Sequence, residues 1–297
     1  MMNVSYFFSL ESLTPLSAYH TSVGYFHIYF IYLVLFKFTM LRLYLAFALC
    51  FSCGLGAVDF DFNTTPCSIK DNECIVGLWQ NAVRSLSDGR PDLDIPALDP
   101  LKLDNIFVDV PGLVSLRFDG ILKGFKGCIF DKARTTLKRG HFKEALDLHC
   151  DISIAGRYLL QANSSALFGR DGIIQADGEG KVKLDNLYFK FLMDFLIIQD
   201  EEGVLKFVLK DGPMGYKYKI KGPVVFEGNN ITLGGQDISP LVISFVNQNW
   251  RLVLDSFGGP FFARAMQEVG DFERAFFRHV SATSYFKENL DDYAVKY

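Results

Sequence analysis

The chain has 297 residues, nearly half of them hydrophobic, and a formal net charge of −4; that is enough for one large domain or two small ones with a sizeable core. Basic residues are scattered, with no block beyond Lys138-Arg139. The electrostatic footprint of a nucleic-acid binder is therefore missing, and attraction to an anionic membrane surface is not favoured. Each of the 29 Phe is worth roughly 1.5–3 kcal/mol when fully buried. Composition alone leaves open whether they fill a core or line a cavity kept for an apolar guest.

Residues 1–57 read as a leader. After an aromatic, apolar stretch over 1–39 comes Met40-Leu41-Arg42, then an apolar run from Leu43 to Phe51, then the small residues Gly54-Leu55-Gly56-Ala57. A short positive region, an apolar run and small residues make a secretory signal peptide over about 40–57. Met40 reads as the true start, and residues 1–39 as an extension ahead of it. The competing reading is a membrane anchor over 24–57, but Lys37 and Arg42 interrupt it, each costing about 2.5–3.5 kcal/mol near a helix centre. Past this point no apolar run reaches the roughly 20 residues of a span, so no stable membrane insertion is expected. A single domain over 58–297 follows, and a monomer is expected.

Of six cysteines, Cys50 and Cys53 leave with the leader. Cys67, Cys74, Cys128 and Cys150 remain, an even number in a secretory context, with three possible connectivities. Cys67 and Cys74 are close in sequence, and bridging them contributes roughly 2.5 kcal/mol in the chain-entropy model. Residues 116–137 and 142–162 read as two strands around a turn at 138–141, which sets Cys128 nearly opposite Cys150. A second bridge or two buried free thiols both fit. Asn63, Asn163 and Asn230 head glycosylation sequons.

The first element is a helix over about Asp71–Ser87, with Ile75, Leu78, Trp79, Ala82, Val83 and Leu86 on one apolar face; Gly89 and Pro91 end it. Pro91, Pro96 and Pro100 keep the next stretch irregular. From about 103 to 232 the chain reads as β, with runs at 105–110, 114–130, 142–160, 180–199, 204–209, 216–220 and 224–227. Several exceed the usual five or six residues, and long strands must coil. Gly178-Glu179-Gly180 reads as a tight turn or bulge beside a strand. Ser239-Pro240 opens a helix as N-cap and first residue. Apolar residues from Val246 through Trp250, Val253, Phe257, Phe261 and on to Val280 then step by three or four. A helix over 240–280 is about 60 Å long, and Gly258-Gly259-Pro260 should kink or break it. These elements predict an α+β architecture: a long C-terminal helix, a strongly curved antiparallel sheet wrapped along it, and a tube lined by Trp and Phe.

Motifs for chemistry are missing. There is no Gly-x-Ser-x-Gly elbow, P-loop or dinucleotide fingerprint, and no CxxC metal spacing in the mature chain. His149 beside Cys150 could suggest a nucleophile and base, but a disulfide explains Cys150 better. Asp147 and Asp151 should face solvent. Asp92, Asp94 and Asp99 lack the spacing of a calcium loop. No catalytic residue, metal or cofactor is expected.

Four segments in order resemble the insect takeout-like and haemolymph juvenile hormone-binding family, of the tubular lipid-binding superfamily. They are Cys67-x6-Cys74 with its helix, Gly89-Arg90-Pro91 through Leu101, Ala155-Gly156-Arg157-Tyr158 with Asp177-Gly178-Glu179-Gly180, and Val246-Asn247-Gln248-Asn249-Trp250. The resemblance implies an elongated α/β-wrap enclosing a hydrophobic tunnel, a bridge between Cys67 and Cys74, and an extracellular carrier without catalysis. The Cys128/Cys150 pair and Gly258-Gly259 depart from the family pattern. The expected ligand is a terpenoid, juvenile hormone among them, or a fatty-acid-like lipid. Burying about 400 Å² of such a ligand contributes on the order of 10 kcal/mol before ordering costs. Candidate lining residues are Leu78, Val83, Phe107, Phe118, Ile154, Tyr158, Val246, Trp250, Val253, Phe257 and Phe261, with Tyr158 as the polar handle, since a buried phenol needs a partner. The alternative function is an extracellular protein that engages a receptor and holds lipid structurally.

Overall fold

The computed structural model describes residues 65–165, 169 and 171–296. The leader, the Met40 start and Asn63 lie outside the described residues.

Helix α1 (Asn72–Leu86) forms where the apolar spacing predicts it. The Asp71 carboxylate accepts from the Cys74 amide at 3.1 Å, capping the first turn. Ile75, Leu78, Trp79, Ala82, Val83 and Leu86 are all buried. Cys67 and Cys74 are bridged. The Cys67 amide donates to the Tyr285 carbonyl at 2.9 Å, which ties the start of the described chain to its C-terminal part.

An antiparallel sheet follows. Its spine is two long strands, β4 (His141–Asn163) and β5 (Ile173–Gln199), paired almost throughout. A strand of 27 residues would run about 90 Å if straight, far more than a domain of this size spans, so it must bend. Along one half of the spine, β2 (Val114–Lys123) pairs with β4 and β1 (Leu101–Val110) with β2. On the β5 side of that half lie β8 (Val224–Gly228) and β9 (Ile231–Leu233), with β10 (Gln236–Asp237) beyond. Along the other half, β3 (Ile129–Lys138) pairs with β4, while β6 (Leu205–Leu209) and β7 (Gly215–Ile220) pair with β5. The sheet is open, with β1 and β10 at its edges. A short β11 (Val295–Lys296) adds a parallel pairing to β5.

The bends come from bulges. Asn186 adopts φ 50°, its amide donating to the Asp151 carboxylate at 2.8 Å, where the β4–β5 register slips. Asn105 repeats the device at φ 55° with Asp119 at 2.7 Å in β1–β2. A bulge of this kind bends the strand and keeps inward residues inward on both sides of it. The expected strand over 114–130 is broken at Gly124, followed by a 3-10 turn at Phe125–Gly127; its halves pair with opposite halves of β4. Cys128 therefore faces Cys150, next to the Ile129–His149 pair, and the two are bridged with Cα atoms 4.4 Å apart.

Three further expectations are corrected. Gly178-Glu179-Gly180 is regular strand inside β5, with no turn. Asp147 is buried, because Arg134 at 2.8 Å and Lys190 at 3.7 Å cover it. Although burial pushes that carboxyl up, the Arg134 bond and the two cations hold it below the ordinary range. The single 240–280 helix is three: α2 (Ser239–Gln248), α3 (Trp250–Phe257) and α4 (Gly259–His279). The break at Gly258 is the anticipated one; the break at Asn249 is not. Only α4, at about 30 Å, is long. A short α5 (Ala282–Tyr285) follows.

The β3/β6/α1/α4/α5 half, the head, is closely packed, with a small space of about 30 Å³ between Trp79, Phe130, Phe272 and Glu273. Trp79, Phe142, Phe195, Phe207, Phe276, Phe277, Tyr285 and Phe286 interlock mostly edge-on, with Phe195–Phe277 centroids 4.8 Å apart and Phe142–Phe207 at 4.9 Å. Glu144 and Glu273 are buried in it. Trp79 Nε1 donates to Glu144 at 3.0 Å. Burial pushes the Glu144 carboxyl up to about 8, against the pull of that bond. Burial, then the neighbouring Glu144, push Glu273 to about 8 as well. Near neutral pH both are mostly uncharged acids.

Candidate functional site

The other half of the spine is hollow. A cavity of about 320 Å³ lies between the inner face of β2, β4, β5 and β8 and the helices α2, α3 and the start of α4. That volume falls at the small end of the range for ligand pockets. Sheet residues follow the pleat: Ile152 and Ile154 on β4, Val182 and Leu184 on β5, Phe118 and Leu122 on β2. The helices supply Val242, Ile243 and Val246 from α2, Val253, Leu254 and Phe257 from α3, and Phe261, Phe262 and Met266 from α4. The Phe118 and Phe261 rings meet 5.3 Å apart, joining sheet to helix. So the phenylalanines do both things that composition allowed: they pack the head and line the cavity.

A row of glycines crosses the floor. Gly120, Gly156, Gly180 and Gly228 are register partners in turn across β2, β4, β5 and β8. A Cβ on Gly120 would lie 2.7 Å from Phe118 Cζ, and one on Gly180 3.0 Å from the Tyr158 ring. One on Gly228 would sit 3.0 Å from the Tyr158 hydroxyl. The missing side chains let two aromatic rings lie flat across the strands, covering glycine as aromatics do in curved sheets. Isolated glycines inside strand patterns carry this signal in the sequence, but their alignment depends on the register.

Helices α2 and α3 form a thin roof. Apart from Ser239, none of their residues is fully buried. Asn247 fastens this roof: its Oδ1 accepts from the Phe226 amide at 2.7 Å and its Nδ2 donates to the Phe226 carbonyl at 2.9 Å. Asn249 Nδ2 donates to the Phe245 carbonyl at 2.9 Å, closing the end of α2. The two asparagines of the Asn247-x-Asn249-Trp250 motif thus pin and end the helix. At its start, Ile238 holds the N-cap position where Ser239 was expected, Ser239 is the first helical residue, and Asp237 accepts from the Ser239 amide at 2.8 Å and hydroxyl at 2.6 Å just ahead of the helix.

The structure brings seven of the eleven candidate residues to this cavity: Phe118, Ile154, Tyr158, Val246, Val253, Phe257 and Phe261. Four do not reach it. Leu78 and Val83 are spent on the head core, because α1 packs against β3. Phe107 is 59% exposed on strand β1. Trp250 is partly buried against the edge of the core without bordering the cavity, and the Arg251 guanidinium lies over its ring at 4.2 Å. Sequence reasoning missed Leu122, Val182, Leu184, Phe226 and Ile243; period-two alternation marks the four strand residues as inward-facing and three-to-four spacing with Val246 marks Ile243 on α2, but only the fold puts them around one space.

Polar groups at the cavity are few. The Tyr158 hydroxyl donates to the Asn229 carbonyl at 2.7 Å, the partner its burial demands. Lys181 and Glu227 border the cavity from the outer side of the pleat, where Glu227 pairs with Lys183 at 3.2 Å. Cys150 is bridged, and His149 meets Asp131 at 3.0 Å on the surface. Among the described residues no cluster of three or more His, Cys, Asp or Glu is placed to hold a metal ion, and no helix is long and apolar enough to cross a membrane.

The fold is that of a solved relative. The crystal structure of Takeout 1 from Epiphyas postvittana superposes with a TM-score of 0.66 at 25% identity, over 75% of this chain and 99% of that one. No curated protein sequence matches. The profile of the haemolymph juvenile hormone binding protein family matches residues 45–287. With this match over most of its length, its open bent sheet and its cavity, the chain belongs to the haemolymph juvenile hormone binding protein family.

Proposed function

We propose that this protein is a secreted, monomeric, non-enzymatic carrier that holds a small hydrophobic ligand (juvenile hormone, another terpenoid or a lipid) in the cavity between sheet and α2–α4. The observation that carries the reading is the cavity, about 320 Å³ and walled by aliphatic and aromatic side chains, against about 30 Å³ for the small space among the head rings. An apolar guest in this space would gain dispersion contacts with the aliphatic and aromatic walls around it. Phe118, Ile154, Tyr158, Val246, Val253, Phe257 and Phe261 contact that guest in this reading, and the cavity extends along α3 and α4 as a tunnel when filled.

Carriage is the reading that a lining made almost wholly of aliphatic and aromatic side chains supports. Secretion rests on the leader at 40–57 and agrees with two disulfides. Asn163 and Asn230 are exposed, and with Asn63 they are the proposed glycan sites. Native mass spectrometry of protein purified from secreting insect cells without detergent tests the reading. A mass excess that extraction converts to a terpenoid, fatty acid or quinone supports it. A lipid-free mass, together with no uptake of a neutral fluorescent hydrophobe, contradicts it.

A further inference from the structure

Of the polar side chains at the cavity, Tyr158 is the one on the inner side of the pleat, and its hydroxyl has a direction. Tyr158 is half-buried and touches both the main core and the small cluster of Ala162, Ile174, Ala176 and Ile231. Its oxygen sits where Gly228 and Ile243, both lining residues, converge. The proton is committed: the Asn229 carbonyl accepts it at 2.7 Å. Asn229 is itself held in place, since its Oδ1 accepts from the Glu179 amide at 2.9 Å. Burial, and after it the charge of Asp237, push the phenol above its ordinary range, so the proton stays on. What remains toward the cavity is lone-pair density, an acceptor without a donor.

The surrounding charges point the same way. Hydrogen bonds from Ser239 hold the Asp237 carboxyl below its ordinary range, so it is ionised. Nearby cations are already engaged: Arg157 with Asp177 at 2.8 Å and Lys183 with Glu227 at 3.2 Å. Lys181 falls on the outer side of the pleat, with Gly180, Val182 and Leu184 inward. A carboxylate head brought to Tyr158 would face an acceptor and a negative charge. An ester oxygen would face the acceptor alone. An alcohol would donate to it.

We infer that Tyr158, its proton held by the Asn229 carbonyl, makes this cavity select uncharged cargo bearing a hydroxyl over the ester and carboxylate of the same hydrocarbon. This rests on the carrier reading and specifies its ligand. The test is displacement of N-phenyl-1-naphthylamine, a neutral fluorescent hydrophobe, from the full secreted chain at pH 7.4 by farnesol, methyl farnesoate and farnesoic acid.

Farnesol should displace the probe about fivefold better than the ester, the value of one net hydrogen bond, and on the order of a hundredfold better than the ionised acid. Lowering the pH to 4.5 should narrow the gap between acid and alcohol as the acid gains its proton. Tyr158→Phe should cost farnesol about fivefold and leave the ester unchanged, which a merely structural role would not do. Should that variant fail to fold, the wild-type order decides alone. Equal or tighter binding of the acid at pH 7.4, or an equal loss for all three ligands in Tyr158→Phe, overturns the inference and leaves the carrier reading standing. A wild-type protein that takes up neither probe nor ligand overturns both.

Discussion

The two halves of the β4–β5 spine share the same strands but are filled in opposite ways. In the head, α1, α4 and α5 press a block of interlocked aromatic rings onto the sheet, and two disulfides close it. In the hollow half, a row of glycines flattens the floor, and two short helices with almost no fully buried residue cover it. Stability is therefore concentrated at one end and adaptability at the other. A carrier needs both: close packing to hold the sheet bent, and a roof that can yield without unfolding the rest.

Truncation separates the two halves most sharply. Trp79→Ala should cost about 3–5 kcal/mol in a urea titration, since its ring touches Phe130, Phe276, Phe277 and Tyr285 and its N–H satisfies Glu144. Leu254→Ala in the roof should cost about 1 kcal/mol, because Leu254 borders the cavity and is only partly buried. Equal costs would abolish the distinction between the halves.

Next in size is the second bridge. Replacing both Cys128 and Cys150 by Ser should cost about 3 kcal/mol in the chain-entropy model, read as a lower urea midpoint with a somewhat steeper slope, because the unbridged unfolded chain exposes more surface. Probe affinity measured where the variant remains folded should barely change, because neither cysteine borders the cavity.

The head should also carry the pH dependence. Glu144 and Glu273 are raised from an ordinary 4.5 to about 8. Between those values the native state binds more protons than the unfolded chain, so their contribution is fullest at acid pH and is lost as pH rises through about 8. Glu273→Gln should flatten the decline between pH 5 and 9 in urea midpoints. An unchanged profile would mean that these acids do not titrate in this way.

The roof latch has a modest effect on stability, of the same order as Leu254→Ala. Asn247→Ala removes two hydrogen bonds to the β8 backbone and should cost about 1–2 kcal/mol. Its clearer signature is kinetic: stopped-flow dissociation of a bound probe should quicken severalfold. A slower or equal rate would show that the roof does not open at β8.

How far the residues predicted this division differs by element. α1 was legible to within a residue at each end, because its cap and its apolar face agree. Hairpin symmetry about the turn at Arg139 and Gly140 placed Cys128 nearly opposite Cys150, since the β3–β4 register is local, but it left both a bridge and two free thiols open; the bridge is read from the structure. The glycine row and the cavity floor were not legible. They depend on β2 meeting β4, β4 meeting β5 and β5 meeting β8 across long sequence separations, and period-two patterning gives a face without a partner. The second break at Asn249 was hidden because the apolar spacing runs on through it; only the side-chain bond from Asn249 to Phe245 marks the end. Buried Glu144 and Glu273 have no signature in composition, as their partners come from other elements.

One titration addresses the central claim, that the hollow half is where cargo sits. Val182 lies on the floor, inward on β5, and Val182→Trp should fill the space with the head untouched. The wild-type protein should take up one neutral fluorescent hydrophobe per chain, and the variant should take up none at a comparable urea midpoint. Undiminished uptake by a folded Val182→Trp protein would place the cargo elsewhere and contradict the account.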